Sequence, residues 1–352
     1  FMISVVCFMT AISGVSATSY DTSKINAAYS KVVEYYKNNN NLNNADKILA
    51  VESLGLEAES NQFDTSSADL SSTSLSKKIV TEVLLGVDPT EDKKTLESQI
   101  DENGNVEGSW GASSDVWTLY ALYVTSSEKT NLIANKLNDE LAASSVCGYE
   151  WGGTYYADYD TTGWVIEGLA VVNKEKYATT INKAIDYIKN NTTMTTTGWV
   201  TADNVDTQSQ VLEGMFAYDT NALLNDSYTV HPVDCLLNTQ LSDGSFPSGY
   251  NAEYTTAEVA KTLGTYKNGS VIIKAKKAYD KMMNPEQPDN TKPAQPTDTK
   301  KDSQSTNKVE TTNQKTTSVK TGDETNVVIF VSLSMVSGGL FLVLRKEYER
   351  VH

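Results

Sequence analysis

The stretch Asp160-Thr161-Thr162-Gly163-Trp164-Val165-Ile166-Glu167-Gly168-Leu169 returns forty-six residues later as Asp206-Thr207-Gln208-Ser209-Gln210-Val211-Leu212-Glu213-Gly214-Met215. Asp, Thr, Glu and Gly keep the same four offsets, and the apolar positions match. Ser113 to Leu122 and Tyr254 to Leu263 fit the same frame, so its fifth position is held by Trp117, Trp164, Gln210 and Glu258, spaced 47, 46 and 48 residues apart. A period of this size held over four copies indicates a repeat architecture.

Each copy reads as the start of a helix. Asp160 and Asp206 stand just before apolar runs, which suits an N-cap that satisfies free backbone N–H groups. Between copies lie amphipathic helices marked by Ile133, Leu137 and Leu141, and by Tyr177, Ile181, Ile185 and Ile188. The unit is therefore a helix hairpin. Its first helix is apolar on most sides and belongs inside, and its second is two-faced and belongs outside. Earlier in the chain, Ile25 to Tyr36 predicts a helix ended by the Asn38 to Asn41 run. Ala45 to Leu54 predicts another, with Gly55 after its end, and Leu75 to Leu85 a third before Gly86. Val271 to Met282 predicts a last outer helix. The sum is an all-α chain of about six hairpins, an α/α toroid.

The ends of the chain have a different character. Residues 1–17 are apolar and finish on Val15-Ser16-Ala17, the layout of a signal peptide that has lost a charged start. Residues 284–326 hold four of the seven prolines and no aromatic residue, which predicts a disordered stalk. Val327 to Leu344 is an 18-residue apolar run followed by Arg345 and Lys346, which predicts one transmembrane helix with its basic flank inside. The domain over 18–283 is then expected outside the cell, anchored at its C-terminus. The 352 residues carry a formal net charge of −16, and no Lys and Arg cluster occurs before the extreme C-terminus. Nucleic acid is excluded as a partner on that ground. Of three cysteines, Cys147 and Cys235 lie in the domain, where a disulfide or two buried thiols both fit.

Gln240-Leu-Ser-Asp-Gly-Ser-Phe246 resembles the repeated QW motif of the terpenoid cyclase and protein prenyltransferase α/α-toroid superfamily. Asn105 to Trp110 and Gly148 to Gly153 are looser versions. The resemblance spans about Ile25 to Met283, and it implies the toroid more strongly than any activity. Squalene-hopene-type cyclases in that superfamily protonate an alkene with Asp-x-Asp-Asp-Thr. Here Asp158-Tyr159-Asp160-Thr161 keeps two of the three aspartates. The prenyltransferase zinc pattern is not met by His231-Pro-Val-Asp234-Cys235, so neither a metal nor a cofactor is expected. Cys147-Gly-Tyr-Glu150 lacks the glutamine of the complement-type thioester. Cobalamin carriers share the toroid but use a further β-domain that has no counterpart here. Separately, residues 318–352 resemble a Gram-positive sortase signal. Ser318-Val319-Lys320-Thr321-Gly322 stands where Leu-Pro-x-Thr-Gly is usual, and cleavage would fall between Thr321 and Gly322.

The candidate ligand-binding residues are aromatic: Trp110, Trp151, Tyr155, Tyr159, Trp164, Trp199, Tyr250 and Tyr254. Most fall in or near loops that lead into inner helices, where they either ring one mouth of the toroid or wedge helices together. Glu167 and Glu213 share one offset, which places Tyr120 and Lys261 beside them in a polar layer if those helices line the lumen. With Asp158 and Asp160 they are the candidate catalytic carboxylates, although a self-satisfying Glu–Lys network fits the same pattern. The expected function is an extracellular, surface-anchored module that binds a small ligand, a glycan or a surface protein without chemistry. The alternative is a cyclase-like or glycan-active enzyme using those carboxylates.

Overall fold

The computed structural model describes residues 20–59, 63, 65, 71–151, 153–192 and 204–284. The expected signal peptide, most of the stalk, the sorting signal with Thr321 and Gly322, the apolar run 327–344, and Trp199 lie outside them. Among the described residues no helix is long and apolar enough to cross a membrane.

The described chain is mostly helical. In order come α1 (Ser23–Asn38), α2 (Ala45–Ser53), α3 (Ser72–Leu84), α4 (Thr90–Ser98), α5 (Ala112–Val124), α6 (Thr130–Ser144), β1 (Gly148–Trp151), β2 (Thr154–Ala157), α7 (Tyr159–Asn191), α8 (Val205–Asn225), α9 (Pro232–Leu237), α10 (Ala252–Asn268) and α11 (Val271–Met283). Helix α7 is two helices joined at Asn173, whose backbone is non-helical and whose side chain caps the second half through the Lys176 N–H. Asp219 breaks α8 in the same way and caps it at Ala222. Each of α7 and α8 is thus two helical halves broken at one capping residue.

The frame that repeats in sequence belongs to α5, α7, α8 and α10, which are buried on most sides. Same-offset residues of consecutive copies touch. The Trp117 and Trp164 rings lie 5.9 Å apart, the Tyr120 hydroxyl is 2.9 Å from Glu167, and Gln210 is 3.2 Å from Glu258. Two such contacts each, Trp117–Trp164 with Tyr120–Glu167 and Gln210–Glu258 with Glu213–Lys261, set α5 parallel to α7 and α8 parallel to α10, in register. Packing runs α2 to α3, α3 to α5, α5 to α7, α7 to α8, α8 to α10, and from α10 back to α2. Six helices therefore contact one another in a closed order.

The glycines shared by two copies are explained by this packing. A Cβ on Gly214 would lie 2.3 Å from the Gly163 carbonyl oxygen, so α7 and α8 meet backbone to backbone. At the same offset, a Cβ on Gly168 would press at 3.1 Å on Leu119. Helix α11, expected as the last outer helix, touches α2, α3 and α5 as well as α10, and so lies across several of the six helices.

Candidate functional site

Two groups of polar and aromatic residues arise from the repeats, one buried and one exposed. The buried group sits where α2, α3, α5, α7, α8 and α10 face each other. Lys261 lies 2.9 Å from Glu258 and 3.9 Å from Glu213, and Lys77 lies 2.9 Å from Asp46. Both ammonium groups approach the Trp117 ring, Lys77 at 4.6 Å and Lys261 at 5.6 Å from its centroid, a favourable cation–π arrangement. Glu167 accepts from the Tyr120 hydroxyl at 2.9 Å and from the Ser270 hydroxyl at 2.6 Å, and Ser270 opens α11. Glu167, Glu213, Glu258, Gln210, Lys261 and Trp117 are all buried.

Burial dominates the electrostatics of this layer. It pushes the Glu213 carboxyl well above the usual range, against the pull of Lys261, and the charges of Glu167 and Glu258 add to the rise. Glu167 is raised for the same first reason, opposed by Ser270 and Lys261. Burial should lower Lys261, but Glu258 and Glu213 outweigh it and hold the ammonium charged. Lys261 is thus a charged lysine set between the carboxyls of Glu258 and Glu213, while Glu258 Oε1, Gln210 Oε1 and Trp164 Nε1 stay buried in the layer without a hydrogen-bond partner among the described residues. The sequence frame places Tyr120, Glu167, Glu213 and Lys261 correctly in one layer. It missed Asp46 and Lys77, because α2 and α3 do not carry the frame. A lysine inside the apolar run Leu75 to Leu85 was the available signal.

The exposed group lies at the N-terminal ends of the same helices. The loop before α5 ends on Trp110, which is 63% exposed and whose N–H donates to Ser114 Oγ at 3.1 Å. The segment before α7 is the β1–β2 hairpin, which the sequence reading did not foresee. Its register sets Tyr149 opposite Tyr156, and their rings stack at 5.6 Å and 18° while both remain exposed. Tyr155 is also exposed and ties its hydroxyl to the Val146 carbonyl at 2.8 Å. Before α10, Tyr250 is exposed on its ring while its hydroxyl donates to Asp206 at 2.5 Å.

The Gln240 to Phe246 loop has a clear mechanical role. Gln240 Nε2 donates to the Ala28 carbonyl of α1 at 3.0 Å, and Phe246 is fully buried. Gly244 has φ +93, and a Cβ there would sit 2.3 Å from the Lys31 carbonyl oxygen. The Gln-x-x-x-Gly-x-aromatic spacing therefore fastens the loop to α1 and plugs the core. Thr256 and Thr162, equivalent in the frame, each accept a loop N–H, from Phe246 at 3.0 Å and from Cys147 at 2.9 Å.

Several expected site residues are placed differently. Asp160 and Asp206 are not the caps. Asp158 caps α7 by accepting from the Thr161 N–H at 3.1 Å and hydroxyl at 2.8 Å, and Asn204 and Asn251 cap α8 and α10. Asp160 and Asp206 stand two residues after the true caps, in the first turn, where an aspartate is also favoured by the helix dipole. Asp160 is freed from capping. Its carboxyl is raised well above the usual range by burial and then by the charge of Asp158, against a hydrogen bond from Thr207. Trp164 is 8% exposed and belongs to the buried layer rather than the rim. Tyr159 and Tyr254 lie in the first turns of α7 and α10, partly buried. Trp151 belongs to β1. Cys147 and Cys235 are buried thiols, and no disulfide joins them. His231 Nδ1 accepts from the Val233 N–H, and Asp234 is engaged by Tyr20 and Lys24. Among the described residues no group of three or more His, Cys, Asp and Glu is placed to hold a metal ion. No family model, curated protein or solved structure matches the chain.

Proposed function

We propose that residues 18–283 form an α/α toroid, anchored on the outside of the cell by the C-terminal segment, and that it binds a ligand at its aromatic rim without chemistry. The toroid is supported by the closed packing order of six helices and by the repeat. The single observation that carries binding is the placement of exposed Trp110, Tyr149, Tyr155, Tyr156 and Tyr250 at one end of parallel helices. Exposed aromatic area flanked by carboxylates and hydroxyls is suited to a glycan or a surface protein. The carboxylates beneath are engaged with Lys261, Tyr120 and Ser270, which argues against their use in catalysis.

A thermal-shift screen against glycans, corrinoids and isoprenoid diphosphates tests this reading. A ligand at about 100 times its dissociation constant adds about 2.7 kcal/mol. A shift that disappears in Trp110→Ala or Tyr156→Ala supports the rim, and shifts indifferent to both variants overturn it. A cyclase-like or glycan-active enzyme is the second reading, favoured by Asp160 alone, a partly buried acid beside the rim whose carboxyl is pushed well above the usual carboxylate range, first by desolvation. Product formation that stops in Asp160→Asn would establish it.

A further inference from the structure

We propose that a polar pocket at the turn between α1 and α2 is a second binding site, separate from the rim, and that it takes an uncharged saccharide. The pocket holds about 300 Å³ and is lined by Tyr35 and Tyr36, the Asn38 to Asn41 run, Lys47 and Glu253. That volume is at the small end of the range for ligand sites, which suits a short sugar.

The asparagines exceed what the turn requires. Asn39 Nδ2 donates to the Tyr35 carbonyl at 2.8 Å and closes α1, while Asn44 accepts from the Lys47 N–H at 3.0 Å and opens α2. Asn43 receives Lys47 Nζ at 3.3 Å. One cap at each end is enough to satisfy such a turn. The side-chain amides of Asn38 and Asn41 are exposed on the pocket wall and hold no hydrogen-bond partner among the described residues. Each amide offers two donors and one acceptor, which matches a hydroxyl that both gives and takes a hydrogen bond.

The charge of the pocket cancels. Lys47 Nζ lies 2.8 Å from Glu253 Oε2, so the lining attracts neither anions nor cations. Tyr35, half-buried and set edge-on to the buried Tyr36 ring at 5.3 Å and 89°, adds an aromatic wall. Amides, an aromatic surface and no net charge together select a neutral polyhydroxyl ligand over a phosphate, a uronic acid or an amine. The position adds a consequence. Tyr35 is on α1, Lys47 on α2 and Glu253 on α10, so the pocket spans the contact where the closed helix order joins its first member to its last. A bound sugar would hold that seam together.

Isothermal titration of the full chain with maltotriose, cellotriose, mannotriose and chitotriose tests the site, with trigalacturonic acid and the glucosamine trimer as charged controls. At least one neutral trisaccharide is expected to bind, and the charged trimers at least about tenfold more weakly, the step expected when a charge enters without a partner. Asn41→Asp, which alters an exposed side chain without touching the core, should weaken the neutral sugar by a similar factor. Tyr35→Ala should abolish its binding, and Trp110→Ala should leave it unchanged. The proposal is overturned if no neutral trisaccharide binds at millimolar concentration, or if a charged trimer binds as well as a neutral one. It is also overturned if binding survives Asn41→Asp and is lost in Trp110→Ala. That last result would assign the sugar to the rim and leave the rim reading standing.

Discussion

The buried layer and the exposed rim are made from the same materials, aromatic rings and carboxylates, delivered by the same repeated frame. They differ in what satisfies those groups. In the layer, Glu258 and Glu213 meet Lys261, Glu167 meets Tyr120 and Ser270, and the Trp117 ring receives two ammonium groups. On the rim, Trp110, Tyr149 and Tyr156 leave their rings in solvent. Depth within the helix decides the outcome. Offsets four and seven fall in the middle of six facing helices, whereas residues just ahead of the frame fall where no neighbouring helix continues. A charge in the middle is costly unless it is paired inside the protein, and the Lys261–Glu258 pair meets that demand even though Gln210 Oε1, Glu258 Oε1 and Trp164 Nε1 are left without a hydrogen-bond partner among the described residues. An aromatic group at the end is under no such demand and stays available to a partner from outside.

The layer should break hardest. Lys261→Met removes the cation that Glu258 and Glu213 share and leaves buried carboxyls unpaired, so a loss of about 3–5 kcal/mol is expected in denaturant unfolding. A near-neutral result would mean that both glutamates are protonated and that the layer is held by packing. Next comes the contact that sets the spacing of the layer. Gly214→Ala drives a methyl group against the Gly163 carbonyl oxygen and should cost about 1–3 kcal/mol by forcing α7 and α8 apart.

The titration of the layer sharpens the comparison further. Glu213 is raised in the folded state, first by burial, above its ordinary value of 4.5. A carboxyl raised on folding binds its proton more tightly in the folded than in the unfolded chain. Its contribution is therefore fully present in acid and is lost as pH rises above the unfolded value. In Glu213→Gln that loss is absent, so the stability of the variant relative to the parent should climb with pH above 4.5. The slope of the difference is at most about 1.4 kcal/mol per pH unit. Parallel curves of melting temperature against pH would show that Glu213 is ionised and paired instead.

How far the sequence could be read follows the same division. The period in the sequence placed Tyr120, Glu167, Glu213 and Lys261 in one layer, because equal offsets on parallel helices meet in space. It could not place Asp46 and Lys77, since α2 and α3 join the layer without carrying the frame. It also assigned the caps to Asp160 and Asp206, because an acidic residue in the first turn and one at the cap leave the same mark in sequence. Only the hydrogen bond separates them. Asp158→Ala should cost about 1 kcal/mol through the lost Thr161 contacts, whereas Asp160→Asn should cost less, since Asp160 makes no capping bond. Equal losses in the two variants would return the capping role to Asp160. The β1–β2 hairpin was hidden for another reason. Gly148 to Ala157 is a short run with no apolar alternation, and its pairing is carried by a cross-strand Tyr149–Tyr156 contact that one strand alone does not reveal.

The smallest change in stability is expected on the rim, and it is the one that bears on function. Trp110 is 63% exposed, and its link to α5 runs through its backbone N–H rather than its ring. Trp110→Ala should therefore shift unfolding by no more than about 0.5 kcal/mol. A large aromatic side chain that stability does not need, standing at the same end of the helices as the Tyr149–Tyr156 stack and Tyr250, is retained at the risk of aggregation that exposed apolar area brings. A binding role accounts for that placement. If Trp110→Ala instead costs as much as the glycine substitution, the ring is a structural wedge, and the distinction between a buried layer and an open rim fails at this residue.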